Sequence, residues 1–278
     1  MKAAEILGVD AVRFIEPDFT AQSDSRYNTL LAGINGDEGR LLLDEQQEPL
    51  ALAFHGAGGW VTGSFLYRDP TSTLIERFEN VNGEILQEDR EVWKAAVQEY
   101  FSTSLMAEVP PAINDLNPAR RSILTTLIGG IWGTGSGETC IDCCCGSGVG
   151  SLVLRDLNYT PLSYDNDAEL LSRGLLEKRL LPEETMWIDA TIASKYIDPV
   201  PKGVAIMAGD INHFTQDMWM QIVAQLFSLS QETLITVGTE KEADLIRDWG
   251  AEMDRVVDIK ENPADPIYDL FVCLAKKH

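Results

Sequence analysis

The chain has 278 residues, of which 45% are hydrophobic and 24% are charged, so its composition is that of a folded globular protein and excludes disordered and fibrous classes. Its acidic residues outnumber its basic residues by 44 to 22, which gives a formal net charge of −22. A surface with this charge repels nucleic-acid backbones and anionic lipids, and the composition therefore disfavours both as partners.

No stretch of the sequence predicts membrane insertion or export. The longest nearly apolar run, residues 123–132, is far shorter than the ~20 residues that cross a bilayer. The first residues show neither the apolar core nor the cleavage site of a secretory signal. The five cysteines, three of them consecutive at Cys143 to Cys145, do not suit a secreted disulfide framework, so we expect a cytoplasmic protein.

The first part of the chain, residues 1–110, predicts a small α+β domain. After an Asn35-Gly36-Asp37 turn, three short segments rich in β-forming residues predict an antiparallel meander: 40–44, 50–55 and 60–68. Apolar residues spaced three or four apart then predict a helix between residues 88 and 104. Val109-Pro110-Pro111 ends this helix because proline lacks an amide hydrogen, and we place the domain boundary there.

The second part, residues 113–278, predicts strands and helices in alternation. Its first helix starts at Asn117-Pro118, where a capping side chain precedes a proline, and continues to about residue 131. Asn166 with Glu169 and Thr239 with Glu242 predict capping boxes at two later helices. The predicted strands are 139–144, 161–164, 185–188, 203–208, 233–237, 255–259 and 268–275. The predicted helices between them are 151–157, 167–180, 192–196, 216–229 and 240–249.

This alternation predicts a mostly parallel sheet that is covered by helices on both faces. Residues 262–266 join the last two strands without a helix, so these strands must be antiparallel neighbours. The expected fold class is α/β, with a seven-stranded sheet that ends in an antiparallel hairpin and a smaller N-terminal α+β domain.

A glycine-rich loop, Cys144-Cys145-Gly146-Ser147-Gly148, lies between the first of these strands and the next helix. Glycines at such a junction let the backbone turn tightly and let a ligand lie against bare amides at the positive end of the helix. Ligands of open α/β sheets bind at this edge. A glycine-rich loop is also typical of ordinary turns, so its interpretation depends on the neighbouring strands.

Asp165 and Asp189 end the next two predicted strands. Asp165 lies about 20 residues beyond Gly146, where a carboxylate can accept the two hydroxyl hydrogens of a ribose. Asp189 can accept a hydrogen bond from an adenine amino group. Each acid alone is more typical of a helix cap or a solvated turn than of a ligand, but three successive strands that end in such groups predict a nucleoside site.

The same residues discriminate between nucleosides. The third position of a G-x-G-x-x-G fingerprint holds Ser151, and no G-x-x-x-x-G-K-[ST] sequence occurs, which disfavours nicotinamide dinucleotides and nucleoside triphosphates. Asp142, four residues before Gly146, would repel a pyrophosphate and would instead face a cationic amino-acid group.

Residues 115–278 resemble the class I S-adenosylmethionine-dependent methyltransferase family. Asp142-x-Cys144-Cys145-Gly146-Ser147-Gly148 is similar to the D-x-G-x-G-x-G loop of that family, with Cys144 where the first glycine usually stands. The order of seven strands with a terminal hairpin is also similar and implies a Rossmann-like methyltransferase sheet. The resemblance implies S-adenosylmethionine as the cofactor and these residues as its binding site: Asp142, Cys144, Cys145, Gly146, Ser147 and Gly148 at the methionine part, Asp165 with the adjacent Asn166 at the ribose, and Asp189 and Ala190 at the adenine.

The resemblance also implies where the acceptor binds. Enzymes of this family place groups near the transferable methyl at the strand that ends here in Ala208-Gly209-Asp210-Ile211-Asn212. Asp210 is therefore the first candidate for acceptor orientation or general base, followed by Asn212 and His213, although a polar strand end before a helix explains these residues equally well. The D/N-P-P-Y sequence that nucleic-acid amino-methylating members often show is absent. The net charge of −22 also counts against a nucleic-acid acceptor, so a small-molecule or protein acceptor is expected.

Four of the five cysteines, Cys140 and Cys143 to Cys145, lie within six residues. Neighbours in a strand point to opposite faces, and no second C-x-x-C or histidine pair follows, so we expect no metal site and interpret the cysteines as small buried residues.

Two other functions stay open from the sequence. One is a non-catalytic S-adenosylmethionine- or nucleoside-binding protein that acts through its N-terminal domain. The other is a dinucleotide-dependent oxidoreductase. In a methyltransferase, the N-terminal domain is expected to cover the pocket or to recognise the acceptor. The sequence carries no prediction of the oligomeric state.

Overall fold

The computed structural model describes residues 2–114 and 116–277. The chain divides into two compact units, Met1–Ser104 and Leu105–His278. The division falls within a helix, Arg90–Glu108, a few residues before the boundary expected at Val109-Pro110-Pro111. The helix itself ends directly before these three residues, because a proline and the residue that precedes it disfavour helical continuation.

The first unit contains one mixed sheet with the strand order β1-β4-β3-β2-β5. Its elements are α1 (Lys2–Ile6), β1 (Val12–Phe14), α2 (Arg26–Ala32), β2 (Glu38–Leu43), β3 (Pro49–Gly56), β4 (Gly59–Ser64), α3 (Ser72–Glu79), β5 (Asn82–Gln87) and α4 (Arg90–Glu108). The antiparallel pairs β2–β3 and β3–β4 confirm the predicted meander. The two parallel edge strands, β1 and β5, were not predicted.

The physical reason for missing the edge strands differs between them. The strand β1 has only three residues, which is too few for an alternating pattern to show. The strand β5 contains a glycine and leaves Ile85 62% exposed, so it carries little of the apolar signal of a buried strand. Pairing with the meander, rather than the local sequence, makes these segments extended.

The second unit contains a seven-stranded sheet with the order β11-β12-β10-β9-β6-β7-β8. Its elements are α5 (Ala119–Trp132), β6 (Thr139–Cys143), α6 (Val149–Asp156), β7 (Thr160–Asp165), α7 (Ala168–Leu176), β8 (Thr185–Trp187), β9 (Val200–Ala205), α8 (Gln216–Leu229), β10 (Ser230–Val237), α9 (Glu240–Glu252), β11 (Arg255–Glu261) and β12 (Phe271–Lys277). A short 3-10 helix, Ala190–Lys195, replaces the predicted helix at 192–196. Among the described residues, no helix is long and apolar enough to cross a membrane.

The strand directions confirm the predicted α/β fold. The strands β10, β9, β6, β7 and β8 pair in parallel, and β12 pairs antiparallel with both β10 and β11. The chain builds the sheet outward from β6 to β8 in one direction and then from β9 to β10 in the other. The strand order therefore reverses between β6 and β9, and the loops after these two strands flank the ligand crevice that such a reversal creates.

The helix caps agree with one prediction and correct another. Thr239 and Glu242 form the predicted capping box of α9, with the Thr239 amide donating to the Glu242 carboxylate at 3.0 Å. The box predicted from Asn166 is wrong, since Asp167 caps α7 by accepting hydrogen bonds from two backbone amides, each at 3.0 Å. The Asp165 carboxylate accepts the Asp167 amide at 2.8 Å, which places residue 167, rather than 166, at the cap position.

Candidate functional site

The loop between β6 and α6 reverses the chain through residues 144–148. Cys144, Gly146 and Gly148 adopt left-handed conformations, with φ of +54°, +52° and +84°. Gly148 is the N-cap of α6. Only glycine adopts such conformations without a steric penalty, so Cys144 occupies a position that favours glycine.

Packing imposes a second requirement on Gly148 of this loop and on Gly150 in the first turn of α6. A Cβ atom on Gly148 would lie 2.6 Å from Cγ of Leu180, and one on Gly150 would lie 2.7 Å from both carboxylate oxygens of Asp142. A Cβ atom on Gly146 would meet nothing closer than 3.9 Å. Gly146 is therefore required for its backbone conformation, whereas Gly150, which we did not single out from the sequence, is required for close packing.

Asp142 lies on β6 beneath the loop and is 1% exposed. Its Oδ2 accepts a hydrogen bond from Ser151 Oγ at 2.6 Å, and Ser151 Oγ lies 2.7 Å from Ser163 Oγ. Burial raises the pKa of Asp142 to about 6, and the hydrogen bonds from Ser151 oppose this shift. The carboxylate faces the first turn of α6, where a negative charge interacts favourably with the free amides of the helix.

Asp165 at the end of β7 is bonded to the loop itself. Its Oδ2 accepts a hydrogen bond from the Gly146 amide at 2.8 Å, and the side chain is largely buried. Burial raises the pKa of Asp165, and the bonds from the Asp167 and Gly146 amides oppose that shift. An ionised carboxylate has about four acceptor positions, so two amide bonds leave capacity for ligand hydroxyls.

Arg179 contacts the loop from the segment that follows α7. Its Nε donates to the backbone oxygen of Ser147 at 2.8 Å, and its Nη1 donates to Asn114 Oδ1 at 3.2 Å. The side chain is buried. We did not predict this arginine, because no local pattern links residue 179 to a loop 32 positions earlier. It fixes the Ser147 peptide at the turn of the loop.

Asp189 follows β8 and caps the 3-10 helix that starts at Ala190. Its Oδ1 accepts hydrogen bonds from the amide and the hydroxyl of Thr191, each at 2.8 Å. Ala190 is buried, Asp189 is exposed, and the backbone oxygen of Asn166 accepts a hydrogen bond from Trp187 Nε1 at 3.1 Å. Asp189 thus has the capping role that the sequence also allowed, and it lies at the same sheet edge as Asp165.

The strand β9 ends at Ala205, three residues earlier than predicted, so Asp210 lies in a loop rather than at a strand end. Asp210 is exposed with φ of +58°, and its Oδ1 accepts a hydrogen bond from Asn212 Nδ2 at 3.2 Å. His213 is also exposed, and its ring lies 3.7 Å from the ring of Phe214. The structure therefore brings Asp210 and Asn212 into contact, and His213 packs with its neighbour.

Met207 explains why β9 ends early. Its φ of +59° interrupts the extended backbone, and its amide donates to Thr236 Oγ1 at 2.8 Å. Thr236 Oγ1 donates to Asp269 Oδ1 at 2.6 Å, and Asp269 Oδ2 accepts from Arg120 Nη2 at 2.6 Å. Arg120 Nη1 lies 2.9 Å from Met207 Sδ, which closes the network. Sequence reasoning missed these partners, since they come from four separate segments.

The five cysteines are all free thiols. Cys140, Cys143, Cys145 and Cys273 are buried, and Cys144 is half-buried. Burial is the main cause that raises the pKa of the Cys140 and Cys145 thiols. Within residues 2–114 and 116–277, no group of three or more His, Cys, Asp or Glu side chains is arranged to hold a metal ion.

No family model matches the chain, and a search of curated proteins found no match. Several solved structures are similar to it at low identity. Magnesium protoporphyrin IX methyltransferase from Synechocystis PCC 6803, with bound S-adenosylmethionine, is 14% identical, with a TM-score of 0.45 over 66% of this chain and 97% of that chain. Precorrin-6y C5,15-methyltransferase from Geobacter metallireducens is 11% identical, with a TM-score of 0.44 over 62% of this chain and 95% of that one.

A third similar structure is the ribosomal protein L11 methylase from Lactobacillus delbrueckii subsp. bulgaricus. It is 14% identical, with a TM-score of 0.40 over 70% of this chain and 85% of that chain. These likenesses concern the fold alone. The Rossmann-like sheet predicted for the second unit is confirmed by its own strand order and directions.

Proposed function

We propose that this protein transfers a methyl group from S-adenosylmethionine to a small-molecule or protein acceptor. The observation that carries the proposal is the 2.8 Å hydrogen bond between the Gly146 amide and the Asp165 carboxylate. It places a loop that presents backbone amides beside a carboxylate that can accept ribose hydroxyls. Both lie at the crevice where the strand order reverses, which is where ligands of such sheets bind.

The proposed binding residues divide into those that contact the cofactor and one that supports them. Residues 144–148 hold its methionine part, Asp165 and Asn166 its ribose, and Asp189 and Ala190 its adenine. Asp142 acts through Ser151, because its buried carboxylate accepts the serine hydroxyl and so positions the first turn of α6. When bound, the cofactor supplies an electrophilic methyl group on a sulfonium, and the protein mainly has to hold the acceptor in line with it.

Asp210 is proposed to orient the acceptor or to remove its proton, and Asn212 and His213 lie beside it on the same loop. Asn212 Nδ2 donates to the Asp210 carboxylate at 3.2 Å and so restricts its orientation. Asp210 is exposed, so an acceptor can reach it without displacing a buried group.

The acceptor class follows from charge. The net charge of −22 opposes a polyanion and leaves small molecules and proteins as the favoured acceptors. We propose that the N-terminal unit recognises this acceptor, and that the protein works in the reducing cytoplasm, since its five cysteines are free thiols.

Calorimetry tests cofactor binding. We expect S-adenosylmethionine and its demethylated product to bind the wild type at micromolar concentration and Asp165→Ala to bind them at least about 10-fold more weakly. Asp156→Ala is the matched control, because Asp156 is a partly exposed carboxylate of the same unit that pairs with Arg121 at 2.7 Å. Tight NAD binding without binding of either sulfur nucleoside would favour an oxidoreductase and refute the proposal.

Transfer of labelled methyl groups separates an enzyme from a binding protein. We expect the wild type to label a component of a cell lysate and Asp210→Asn to label it more slowly while binding the demethylated product normally. A wild type that binds the nucleoside but labels nothing would be a non-catalytic binding protein.

A further inference from the structure

The end of α4 and the residues after it are bonded to α7 rather than left as a free tether. We call residues 105–114, all of which belong to the second unit, the connecting segment. The backbone oxygen of Val109 accepts a hydrogen bond from Ser172 Oγ at 2.7 Å. The backbone oxygen of Ala112 accepts one from Arg173 Nε at 2.6 Å. The Ala112 amide donates to a backbone oxygen in the first turn of α7 at 3.0 Å. Three hydrogen bonds therefore hold the connecting segment against this helix.

The composition of the connecting segment also favours a fixed conformation. Pro110 and Pro111 lie between the two bonded residues, and the segment contains neither glycine nor serine, which are typical of flexible linkers. Proline fixes its own φ and restricts the residue before it. The undocked segment therefore has fewer conformations to lose, and the prolines that end α4 also lower the entropic cost of docking on α7.

Asn114, at the end of the connecting segment, reaches the glycine-rich loop through Arg179. Its Oδ1 accepts a hydrogen bond from Arg179 Nη1 at 3.2 Å, and Arg179 Nε donates to the backbone oxygen of Ser147 at 2.8 Å. The amide of the same peptide unit, that of Gly148, donates to the Cys145 oxygen at 2.9 Å. Because a peptide unit is planar, bonds at both its oxygen and its amide fix the direction in which it faces. Asn114 therefore helps to orient a peptide of this loop.

The apolar side of the connecting segment packs with the same loop. Leu105, in the last turn of α4, is 6% exposed and belongs to the same buried cluster as Cys145. The cluster is completed by apolar side chains of α7, of the residues after it and of the connecting segment: Leu171, Leu175, Leu180, Met106, Val109 and Ala168. Undocking the connecting segment would expose this cluster to water, which costs free energy. The docked segment and the loop conformation therefore stabilise each other.

We propose that the connecting segment is part of the cofactor site, with Asn114 and Leu105 as positioning residues that hold residues 144–148 in the conformation that binds S-adenosylmethionine. The inference rests on the proposed function, because this loop would hold the methionine part of the cofactor. Docking of the segment and binding of the cofactor favour each other, since both stabilise the same loop conformation. Neither residue has a chemical role, and they act only through Arg179 and Cys145.

Calorimetry on the full-length protein measures the effect on cofactor binding. We expect Asn114→Ala to bind the demethylated product about 5-fold more weakly than the wild type, because the loop spends less time in its binding conformation. Asn114→Asp keeps an oxygen acceptor for Arg179 and should recover most of the lost affinity. Ser136→Ala is the matched control and should bind as the wild type does. Ser136 is, like Asn114, an exposed residue, and its Oγ bonds to Glu138 at 2.9 Å before the start of β6.

Hydrogen exchange separates positioning of the loop from a general loss of stability. Without ligand, Asn114→Ala should speed exchange of the Gly148 amide about 5-fold and leave unchanged that of the Thr160 amide, which bonds to a backbone oxygen at the other edge of the sheet. A general loss of stability would change both amides alike. Saturating demethylated product should slow exchange of the Ala112 amide in the wild type by a similar factor, because coupling between two sites is reciprocal.

Ser172→Ala removes the bond to Val109 and provides a second variant if Asn114→Ala does not fold. It should weaken binding of the demethylated product in the same direction. Wild-type affinity in both variants would overturn the inference. Equally fast exchange of the Ala112 amide in the free and the ligand-bound wild type would also overturn it. If the wild type binds neither sulfur nucleoside, the proposed function fails, and exchange of the Gly148 amide in the ligand-free variants alone decides whether the connecting segment positions the loop.

Discussion

The two loops that flank the crevice are built in different ways. The turn in the loop of residues 144–148 is encoded by its own glycines, since Gly146 and Gly148 supply left-handed conformations, and Asp165 and Arg179 then bond to the loop. The loop of residues 206–215 is held by side chains from elsewhere, with Thr236 accepting the Met207 amide and Glu242 accepting the Ile211 amide at 3.0 Å. A loop of the first kind is visible in a sequence, whereas one of the second kind becomes visible only when the chain is folded.

Among the variants that test this comparison, Gly148→Ala should change the free energy of unfolding the most. We expect a loss of about 4 kcal/mol in the free energy of unfolding, from the left-handed backbone and the contact of the new Cβ with Leu180. Denaturation by urea measures it. Gly146→Ala is the control with a similar φ but no close contact, and it should lose only about 1 kcal/mol. Equal losses would show that packing against Leu180 does not matter.

The next largest effect is the pH dependence of the free energy of unfolding that Asp142 causes. The pKa of Asp142 is about 6 in the folded state, against 3.8 for an ordinary carboxyl group in the unfolded state. Between pH 3.8 and pH 6 the folded state therefore binds more protons than the unfolded state, so the free energy of unfolding falls as the pH rises. Relative to Asp142→Asn, the wild type should lose about 2 to 3 kcal/mol in its free energy of unfolding between pH 4 and pH 7. Urea denaturation at several pH values measures this difference.

The control for this pH dependence is Asp156→Asn. The hydrogen bond from Arg121 lowers the pKa of Asp156, so the wild type should gain stability relative to this variant as the pH rises through the acid range. A pH dependence of the same sign in both comparisons would contradict the role given to burial at Asp142.

The second loop is tested by Thr236→Val. Removing this buried hydroxyl leaves the Met207 amide and Asp269 each without one partner, which should cost about 2 kcal/mol. Hydrogen exchange should show the Met207 amide losing its protection. Thr233→Val, in the same strand, removes a hydroxyl that lies 2.7 Å from Ser230 Oγ and should leave that amide protected. Loss of protection in both variants would mean that the strand, not the Thr236 hydroxyl, holds the loop.

The smallest effect is that of Cys144→Gly, which should raise the free energy of unfolding by about 0.5 kcal/mol. Relief of the left-handed conformation outweighs the greater freedom of glycine in the unfolded chain. Cys143→Gly, one residue earlier in the extended strand, should destabilise the protein because it removes a buried side chain. Thermal denaturation distinguishes the two, and destabilisation by both would argue against strain at Cys144.

The strands and helices of the second unit were predictable because their signals are local. Short strand segments that alternate with helical segments predicted all seven strands, and the missing helix between β11 and β12 predicted the antiparallel hairpin. The end of β9 was not predictable, since the residues after Ala205 continue an apolar pattern, while the positive φ of Met207 and its bond to Thr236 end the strand.

In the candidate site, too, some features were predictable from the sequence and others were not. The glycine loop and Asp165 were predicted from spacing, and the structure joins them by the 2.8 Å bond from Gly146. Whether Asp165, Asp189 and Asp210 act on ligands stays a prediction. The support of the loop by Arg179 could not be predicted, because it depends on how residues distant in sequence meet.

The sequence by itself determined the order of strands and helices, the mostly parallel sheet and the loop where a ligand would bind, since periodicity, glycines and helix caps act over a few residues. Only the tertiary structure decided which way Asp142 faces, where β9 ends and that Arg179 supports the loop of residues 144–148. These features depend on burial and on hydrogen bonds between segments far apart in the chain, and such contacts exist only after the chain has folded.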